Sequence, residues 1–237
     1  MLWIAAAAVA FFIKGLCGFA NTLVFTTILG YGTANVNISP VELLLGYPTN
    51  FILAWRNRKQ LAWKVVIPLS VLILTGSIPG AVLLKNIDAQ WLKIIFGVVV
   101  MLIGTEMLLR ELKRSRIKES KMLLGTIGVL SGLLCGLFGV GALLAAYVGR
   151  VATTSDEFKA NISAVFIVEN TVRIILYIVL HVITIETVKT AAMLFPIMIL
   201  GLLAGIKSAE LLNESTVKRF VVVLLILSGA ALVVNNV

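Results

Sequence analysis

The sequence is poor in charged residues. Only 13% of its 237 residues are Asp, Glu, Lys or Arg, whereas a soluble domain carries about 25%. Hydrophobic residues make up 60% of the chain, and the mean hydropathy is +1.07. A folded chain of this composition could not cover its surface with polar groups. The composition therefore excludes an ordinary soluble domain and predicts an integral membrane protein.

Residues that carry enzyme chemistry are also scarce. The chain has one histidine, His181, and two cysteines, Cys17 and Cys135. Each cysteine is followed by a glycine within an apolar run, so we interpret both as packing residues with no disulfide or metal role. No His-Glu-x-x-His, Gly-x-Ser-x-Gly or P-loop sequence occurs. We therefore expect no enzymatic activity, no metal and no cofactor.

Acidic residues are the rarer sign of charge, with 11 Asp and Glu against 20 Lys and Arg, and the net charge is +9. Such a balance can indicate nucleic-acid binding. Here the basic residues lie mostly in short connections between apolar runs, as the positive-inside bias of cytoplasmic loops predicts. We expect membrane lipid as a partner, and no nucleic acid.

Six apolar runs are long enough, or nearly so, to cross a bilayer core of about 30 Å, which takes roughly 20 helical residues. They cover 40–56, 64–84, 91–109, 160–180, 188–206 and 217–234.

Two further apolar regions, 2–34 and 122–148, are interrupted by glycines and polar residues over 14–22 and 132–141. Glycine weakens a helix by about 1 kcal/mol, so these interruptions predict broken helices with unwound backbone. Each region could be a re-entrant hairpin or a single kinked span. A continuous helix whose glycines serve close packing is the plainer alternative.

The chain contains two copies of one unit. Gly-Ser-Ile-Pro-Gly at 76–80 is matched by Gly-Leu-Leu-Ala-Gly at 201–205, with an offset of 125 (201 − 76). Leu-Cys-Gly at 16–18 recurs at 134–136, with an offset of 118 (136 − 18). Duplicated halves with interrupted hydrophobic segments are typical of transporters whose site lies between the halves.

We therefore predict an all-α polytopic membrane protein of two inverted repeats, each a re-entrant or broken helix plus three transmembrane helices. The first repeat is 1–114, a basic linker covers 115–121, and the second repeat is 122–237. The positive-inside bias places 56–64, 110–121 and 207–219 in the cytoplasm, with both termini outside. The protein would be a multi-pass protein of the cytoplasmic (inner) membrane, and a homodimer is one assembly open to it.

Candidate site residues lie at the two interruptions and at polar positions inside the spans. A helix that starts after an unwound segment presents free N–H groups and the positive end of its dipole, which suits an anion. Asn50 and Asn170 lie at similar depth in related spans, although either could instead join two helices. Arg173 could hold an anion or pair with Glu169 four residues earlier. Glu42 is expected at the membrane interface. The substrate-binding candidates are Gly18, Phe19, Ala20, Asn21, Thr22, Asn50, Gly136, Gly139, Gly141, Asn170 and Arg173, with Lys14 and Glu169 as candidates for coupling or charge balance.

In its ordered motifs the chain resembles the sulfite exporter family called TauE/SafE. The resemblance rests on the glycine-rich interruptions at 14–18 and 132–141, and on Gly-x-x-x-Gly followed by a polar turn and a glycine-bearing helix at 76–104 and 201–229. The resemblance implies movement of sulfite, sulfonates or related small anions. The first interruption departs from the fuller glycine pattern, with Phe-Ala-Asn at 19–21.

Together these patterns predict a secondary transporter that moves a small anion by alternating access. An anion channel, and a membrane scaffold that transports nothing, are the alternatives.

Overall fold

The computed structural model describes residues 1–30, 35–86 and 141–212 without interruption, together with residue 33 and separate residues between 94 and 136 and between 216 and 234. Every element in this described part is helical. The predicted spans 91–109 and 217–234, and most of the second interrupted region, fall outside the continuously described stretches. The α-helices are α1 (Leu2–Cys17), α2 (Asn21–Leu29), α3 (Asn35–Arg56), α4 (Trp63–Asn86), α5 (Ala142–Val151), α6 (Ser155–Val179) and α7 (Ile185–Leu211), with a 3₁₀ turn at Arg58–Gln60.

The first interrupted region is a broken helix that folds back on itself. Gly18 ends α1 with φ of 86°, and Ala20 precedes α2 with φ of 71°. Glycine adopts this left-handed backbone freely, whereas an alanine in it is strained. The rings of Trp3 and Phe25 then meet with 5.8 Å between their centroids. A continuous helix would separate them by roughly 33 Å, so 2–29 forms a helical hairpin.

Three described helices are both long and apolar enough to cross a membrane, over Trp63–Val82, Ser155–Val179 and Ile185–Leu211. They agree with the predicted spans 64–84, 160–180 and 188–206. The predicted span 40–56 lies in α3, which has 22 residues but does not meet the same test of apolarity. Pro40 and Pro48 lie inside α3, and its buried face is unusually polar, as described below.

Paired glycines bring helices from distant parts of the chain into close contact. A Cβ on Gly15 of α1 would strike the backbone of α7 at Leu202, Gly205 and Ile206. On Gly136, a Cβ would strike the backbone of α4 at Ser77, Gly80 and Ala81. Because 202, 205 and 206 match 77, 80 and 81 at the offset of 125, the same crossing is made twice.

These crossings correct one alignment made from the sequence. They pair Gly136 with Gly15, at an offset of 121 (136 − 15), rather than with Gly18. Helices α2 and α5 begin at Asn21 and Ala142, which are separated by the same offset (142 − 21). Matching of residue identities aligned the repeated Leu-Cys-Gly, whereas the helix crossings give the alignment of the two repeats.

The remaining contacts place α6 at the centre of the described structure. Helix α6 packs against both α3 and α4, while α1 packs most extensively on α7. Three hydroxyl contacts tie α6 to its neighbours: Tyr177 to Ser39 of α3 (3.0 Å between the oxygens), Thr171 to Tyr47 of α3 (2.9 Å), and Ser77 of α4 to Glu169 (2.8 Å). The core therefore surrounds α3 and α6, and these two helices supply most of the polar groups of the site.

Candidate functional site

A small buried cavity lies where the hairpin of α1 and α2 meets α3, α6 and the start of α5. We call it the central cavity. Its volume, counted as the space that the centre of a water-sized sphere can occupy, is about 20 Å³. This is room for about one water molecule. In this conformation the cavity is thus closed down around its own polar groups. Its lining residues are Lys14, Phe19, Ala20, Asn21, Thr22, Leu23, Glu42, Gly46, Asn50, Gly141, Phe166, Asn170 and Arg173.

Two helices begin at this cavity without a capping side chain. Helix α2 starts after Ala20 and α5 starts after Gly141, and neither of these N-cap residues has a side chain that accepts a hydrogen bond from the helix N–H groups. Helices α6 and α7 differ, because Thr154 and Thr184 accept hydrogen bonds from the backbone N–H groups of Glu157 and Thr187. The first N–H groups of a helix need partners. At the central cavity two sets of them are left for a ligand.

Helix α3 contributes one polar face at a spacing of four residues. Glu42, Gly46 and Asn50 all line the cavity, and residues four apart share a helix face. Asn50 is 1% exposed, and its Oδ1 has no hydrogen-bond partner among the described residues. A buried polar atom without a partner costs about 1–3 kcal/mol. Because Oδ1 accepts hydrogen bonds, it needs a donor such as a bound water.

Gly46 matters because it has no side chain. A Cβ there would lie 3.0 Å from Oε1 of Glu42 and 3.3 Å from Nδ2 of Asn21. Its bare backbone instead exposes a carbonyl, which accepts from Nζ of Lys14 at 3.3 Å and from Oγ1 of Thr49 at 2.6 Å. This hydrogen bond holds Lys14 at the cavity wall, where the residue is only 2% exposed.

Arg173 is the second buried cation, and it is held in place by two hydrogen bonds and an ion pair. Its guanidinium donates to the carbonyl of Cys135 at 2.6 Å and to Oδ1 of Asn170 at 2.9 Å. Its Nε lies 3.4 Å from Oε1 of Glu169. Arg173 also lies over the ring of Tyr177, 5.9 Å from the centroid. It therefore supplies positive potential to the cavity from a fixed position.

The cavity unites most of the residues singled out from the sequence and leaves out three of them. The residues from Phe19 to Thr22, together with Asn50, Gly141, Asn170, Arg173 and Lys14, lie on its wall. Gly18 packs against the side chain of Lys159, and Gly136 lies at the crossing with α4. Gly139 lies outside the described residues. Glu169 is buried behind Arg173 and is absent from the lining.

One expectation was wrong. Glu42 was expected at the membrane interface, but it is 2% exposed and lines the cavity. Nδ2 of Asn21 donates to its Oε1. Sequence reasoning also missed Gly46 and Phe166. The four-residue spacing of Glu42, Gly46 and Asn50 could have revealed Glu42 and Gly46, because it places all three residues on one face of the predicted span.

A second, larger pocket lies next to the central cavity, and we call it the peripheral pocket. It has about 520 Å³ open to the centre of a water-sized sphere. Phe19 lines the central cavity and meets Phe158 edge-to-face, with 5.7 Å between ring centroids. Phe158 directly precedes Lys159, a residue of the peripheral pocket. The peripheral pocket is lined by Leu16, Leu53, Arg56, Asn57, Ser155, Asp156, Lys159, Ile206, Ala209 and Glu210.

Comparison with known proteins gives one match. The family model described as "Sulfite exporter TauE/SafE" matches residues 3–232. No curated protein and no solved structure matches the chain significantly. The family match confirms the resemblance seen in the sequence motifs, and it covers nearly the whole chain.

Proposed function

The chain belongs to the sulfite exporter TauE/SafE family, and we propose that it is a secondary transporter whose central cavity binds a small anion, either sulfite or an organosulfonate. The family makes it a membrane protein of the sulfite or anion exporter class. The choice of substrate, the binding site and the mechanism of alternating access are the proposal.

The observation that carries the proposal is the convergence of two uncapped helix starts on one buried cavity. Each helix N-terminus is equivalent to roughly half a positive charge, and free N–H groups there bind oxyanions directly. Ala20 and Gly141 mark these starts, and both line the cavity. Asn50 lies on the same wall. An oxyanion accepts from several donors at once, so the N–H groups of both helix starts and the Nδ2 group of Asn50 would donate to it together.

Fixed positive charge supports the same conclusion. Lys14 and Arg173 line the cavity and are each 2% exposed. In a site without water their field is screened far less than at a surface. It is unfavourable for Arg173 to leave Glu169 and contact the anion instead, since breaking a buried ion pair leaves a charge without its partner. We therefore assign the direct contacts to the helix starts and Asn50, and the long-range attraction to the two cations.

The closed cavity supports alternating access rather than a permanently open pore. Its 20 Å³ is about the space of one water molecule, too little for a four-atom oxyanion without movement. Phe19 of this cavity contacts Phe158, which directly precedes Lys159 of the peripheral pocket. We propose that separation of these rings opens the site towards the peripheral pocket, and that the two matched glycine crossings let the repeats move against each other.

The remaining elements of the arrangement follow from the loop charges. We propose two inverted repeats in the cytoplasmic membrane, with both termini outside and 56–64 and 207–219 inside. In this arrangement the peripheral pocket, with Arg56 and Glu210 on its wall, opens towards the cytoplasm. Labelling of single cysteines at 210 and 184 from each side of the membrane tests it, because the proposal requires only the 184 probe to react from outside.

Flux through purified protein in liposomes tests the proposed function. A carrier shows saturable exchange, in which unlabelled sulfite inside accelerates uptake of labelled sulfite, whereas a channel shows ohmic anion current. Asn50→Ala should reduce exchange strongly, and Asn57→Ala at the end of α3 serves as the matched control. Exchange that is equal in wild type and Asn50→Ala would place the anion elsewhere.

A further inference from the structure

The carboxyl group of Glu42 is an unexpected feature of a cavity built for anions. Glu42 is 2% exposed and lines the cavity. It accepts a hydrogen bond from Nδ2 of Asn21, and the hydroxyl of Thr22 also bonds to it. Both partners belong to the first turn of α2. The carboxyl group therefore lies beside the helix start at which the anion is proposed to bind.

The buried charges around the cavity cancel when every group is ionised. Two cations and two carboxylates contribute, so the sum is zero. A bound anion then leaves an excess negative charge among buried side chains, where an uncompensated charge is very costly. One carboxylate must lose its charge, or a cation must accompany the anion. The four groups are Lys14, Arg173, Glu42 and Glu169, each at most 2% exposed.

Of the two carboxylates, Glu169 is the one that forms an ion pair with a buried cation. Its Oε1 lies 3.4 Å from Nε of Arg173 and accepts from Oγ of Ser77 at 2.8 Å. It is also absent from the cavity lining. Glu42 lies on the cavity wall, and Lys14 donates to the carbonyl of Gly46 rather than to Glu42. An incoming anion would therefore repel the charge of Glu42 first.

We propose that Glu42 takes up one proton from water when the anion binds, so that anion and proton occupy the central cavity together. This inference rests on the proposed function. The proton adds to a carboxylate oxygen and forms an O–H bond, and no other bond changes. The neutral carboxyl group can then donate a hydrogen bond to an anion oxygen. Movement of the anion is thereby linked to the proton gradient.

Among the described residues, three charged groups act on Glu42. Lys14 approaches from α1, and Arg173 and Glu169 act from α6. Asn21 and Thr22 are its hydrogen-bond partners on α2. An anion that binds offsets the field of both cations at Glu42. Proton uptake is therefore expected when the anion binds.

Calorimetric titration of the purified full chain measures this proton directly. The apparent binding heat is determined in buffers with different ionisation enthalpies, and its dependence on the buffer gives the number of protons taken up per anion. The probes are ethanesulfonate, whose charge is constant near neutral pH, and sulfite. Since sulfite itself titrates, the difference between wild type and Glu42→Gln is used, because the contribution of the ligand cancels.

We expect about one proton more for wild type than for Glu42→Gln. Wild-type affinity should fall by up to about tenfold for each pH unit of increase, the limit for one linked proton. Glu42→Gln, which resembles the protonated side chain, should bind with an affinity that does not change with pH. Glu42→Asp should keep the proton uptake. If Glu42→Gln binds no anion, uptake by Glu42→Asp still supports the proposal and its absence contradicts it.

Four results would overturn the proposal. Equal proton uptake in wild type and Glu42→Gln would move the proton to another group such as Glu169. Anion binding to wild type without any proton uptake would remove the coupling and leave the proposed function intact. If 2-aminoethanesulfonate binds wild type much more tightly than ethanesulfonate, and Glu42→Gln removes that preference, Glu42 recognises a substrate ammonium group instead. Absence of any anion binding to wild type would defeat the proposed function itself, and this inference with it.

Discussion

The central cavity and the peripheral pocket are surrounded by the same set of charges, two cations and two carboxylates. In the centre all four side chains are at most 2% exposed. At the periphery the ion pair between Arg56 and Glu210 has side chains that are 53% and 57% exposed. The central set is Lys14, Arg173, Glu42 and Glu169, and the peripheral set is Arg56, Lys159, Asp156 and Glu210.

The comparison teaches that environment, rather than the number of charges, makes a binding site. Exposed ion pairs are screened by water and contribute little. The field of a buried charge is screened far less, and each buried charge needs a partner of opposite sign. The helix starts differ in the same direction. Helix α6 begins beside the peripheral pocket and is capped by Thr154, whereas the starts of α2 and α5 at the central cavity are uncapped.

The largest expected effect comes from removing a central cation. Arg173→Gln should lower the free energy of unfolding by about 3–5 kcal/mol, because Glu169 would be left charged and buried. Thermal unfolding in detergent measures the loss. The double variant Arg173→Gln with Glu169→Gln should recover part of it. The peripheral counterpart Arg56→Gln should change stability by less than about 1 kcal/mol. Equal losses at Arg173 and Arg56 would erase the distinction between the two regions.

Removing the unpartnered amide should weaken anion binding without unfolding the protein. Asn50→Ala deletes a group expected to bond to a charged ligand, which is worth about 1.5–3 kcal/mol or roughly 10–150-fold in affinity. Asn57→Ala lies at the peripheral pocket and should leave the affinity unchanged. Sulfite binding to both variants, measured by calorimetry, sharpens the comparison. Equal affinities would show that the central amide does not contact the anion.

A side chain at the second helix start should block the central cavity. Gly141→Val places atoms where the ring of Phe166 lies, and such overpacking costs about 1–3 kcal/mol. Sulfite exchange in liposomes should be lost or greatly slowed. Gly149→Ala is the control, since its Cβ would lie 3.7 Å from Phe158 in ordinary contact. Normal exchange by Gly141→Val would mean that this helix start is not part of the site.

Removing a peripheral cap should affect stability alone. Thr154→Ala deletes the side chain that accepts from the N–H of Glu157 and should cost about 1 kcal/mol of stability. Affinity for sulfite should stay the same, because this helix start lies outside the central cavity. A parallel loss of affinity would make the start of α6 part of the binding site.

The smallest effect concerns the strained alanine at the first uncapped start. Ala20 has φ of 71°, a conformation that costs a non-glycine residue about 1 kcal/mol or more. Ala20→Gly should therefore raise stability by up to about 1 kcal/mol in thermal unfolding and leave the N–H groups of α2 in place. A marked fall in sulfite affinity would show instead that the methyl group of Ala20 contacts the ligand.

The sequence was informative about the helices and the first break, because both depend on local chemistry. Apolar length predicted α4, α6 and α7, and glycine content predicted the interruption between Cys17 and Asn21. The site residues at the break followed from the same argument. The burial of Glu42 did not follow, since single-residue hydropathy treats a carboxylate as interfacial. The peripheral pocket was also hidden, because it joins the ends of α3, α6 and α7, which are distant in sequence.

Locating the anion directly tests the central claim. Selenite has the shape and charge chemistry of sulfite, and selenium scatters X-rays anomalously, so crystals grown with selenite would show where the oxyanion binds. The account predicts one strong peak in the central cavity, between Asn50 and the starts of α2 and α5, and none there in Asn50→Ala. A peak confined to the peripheral pocket beside Arg56 and Lys159, with the central cavity empty, would contradict it.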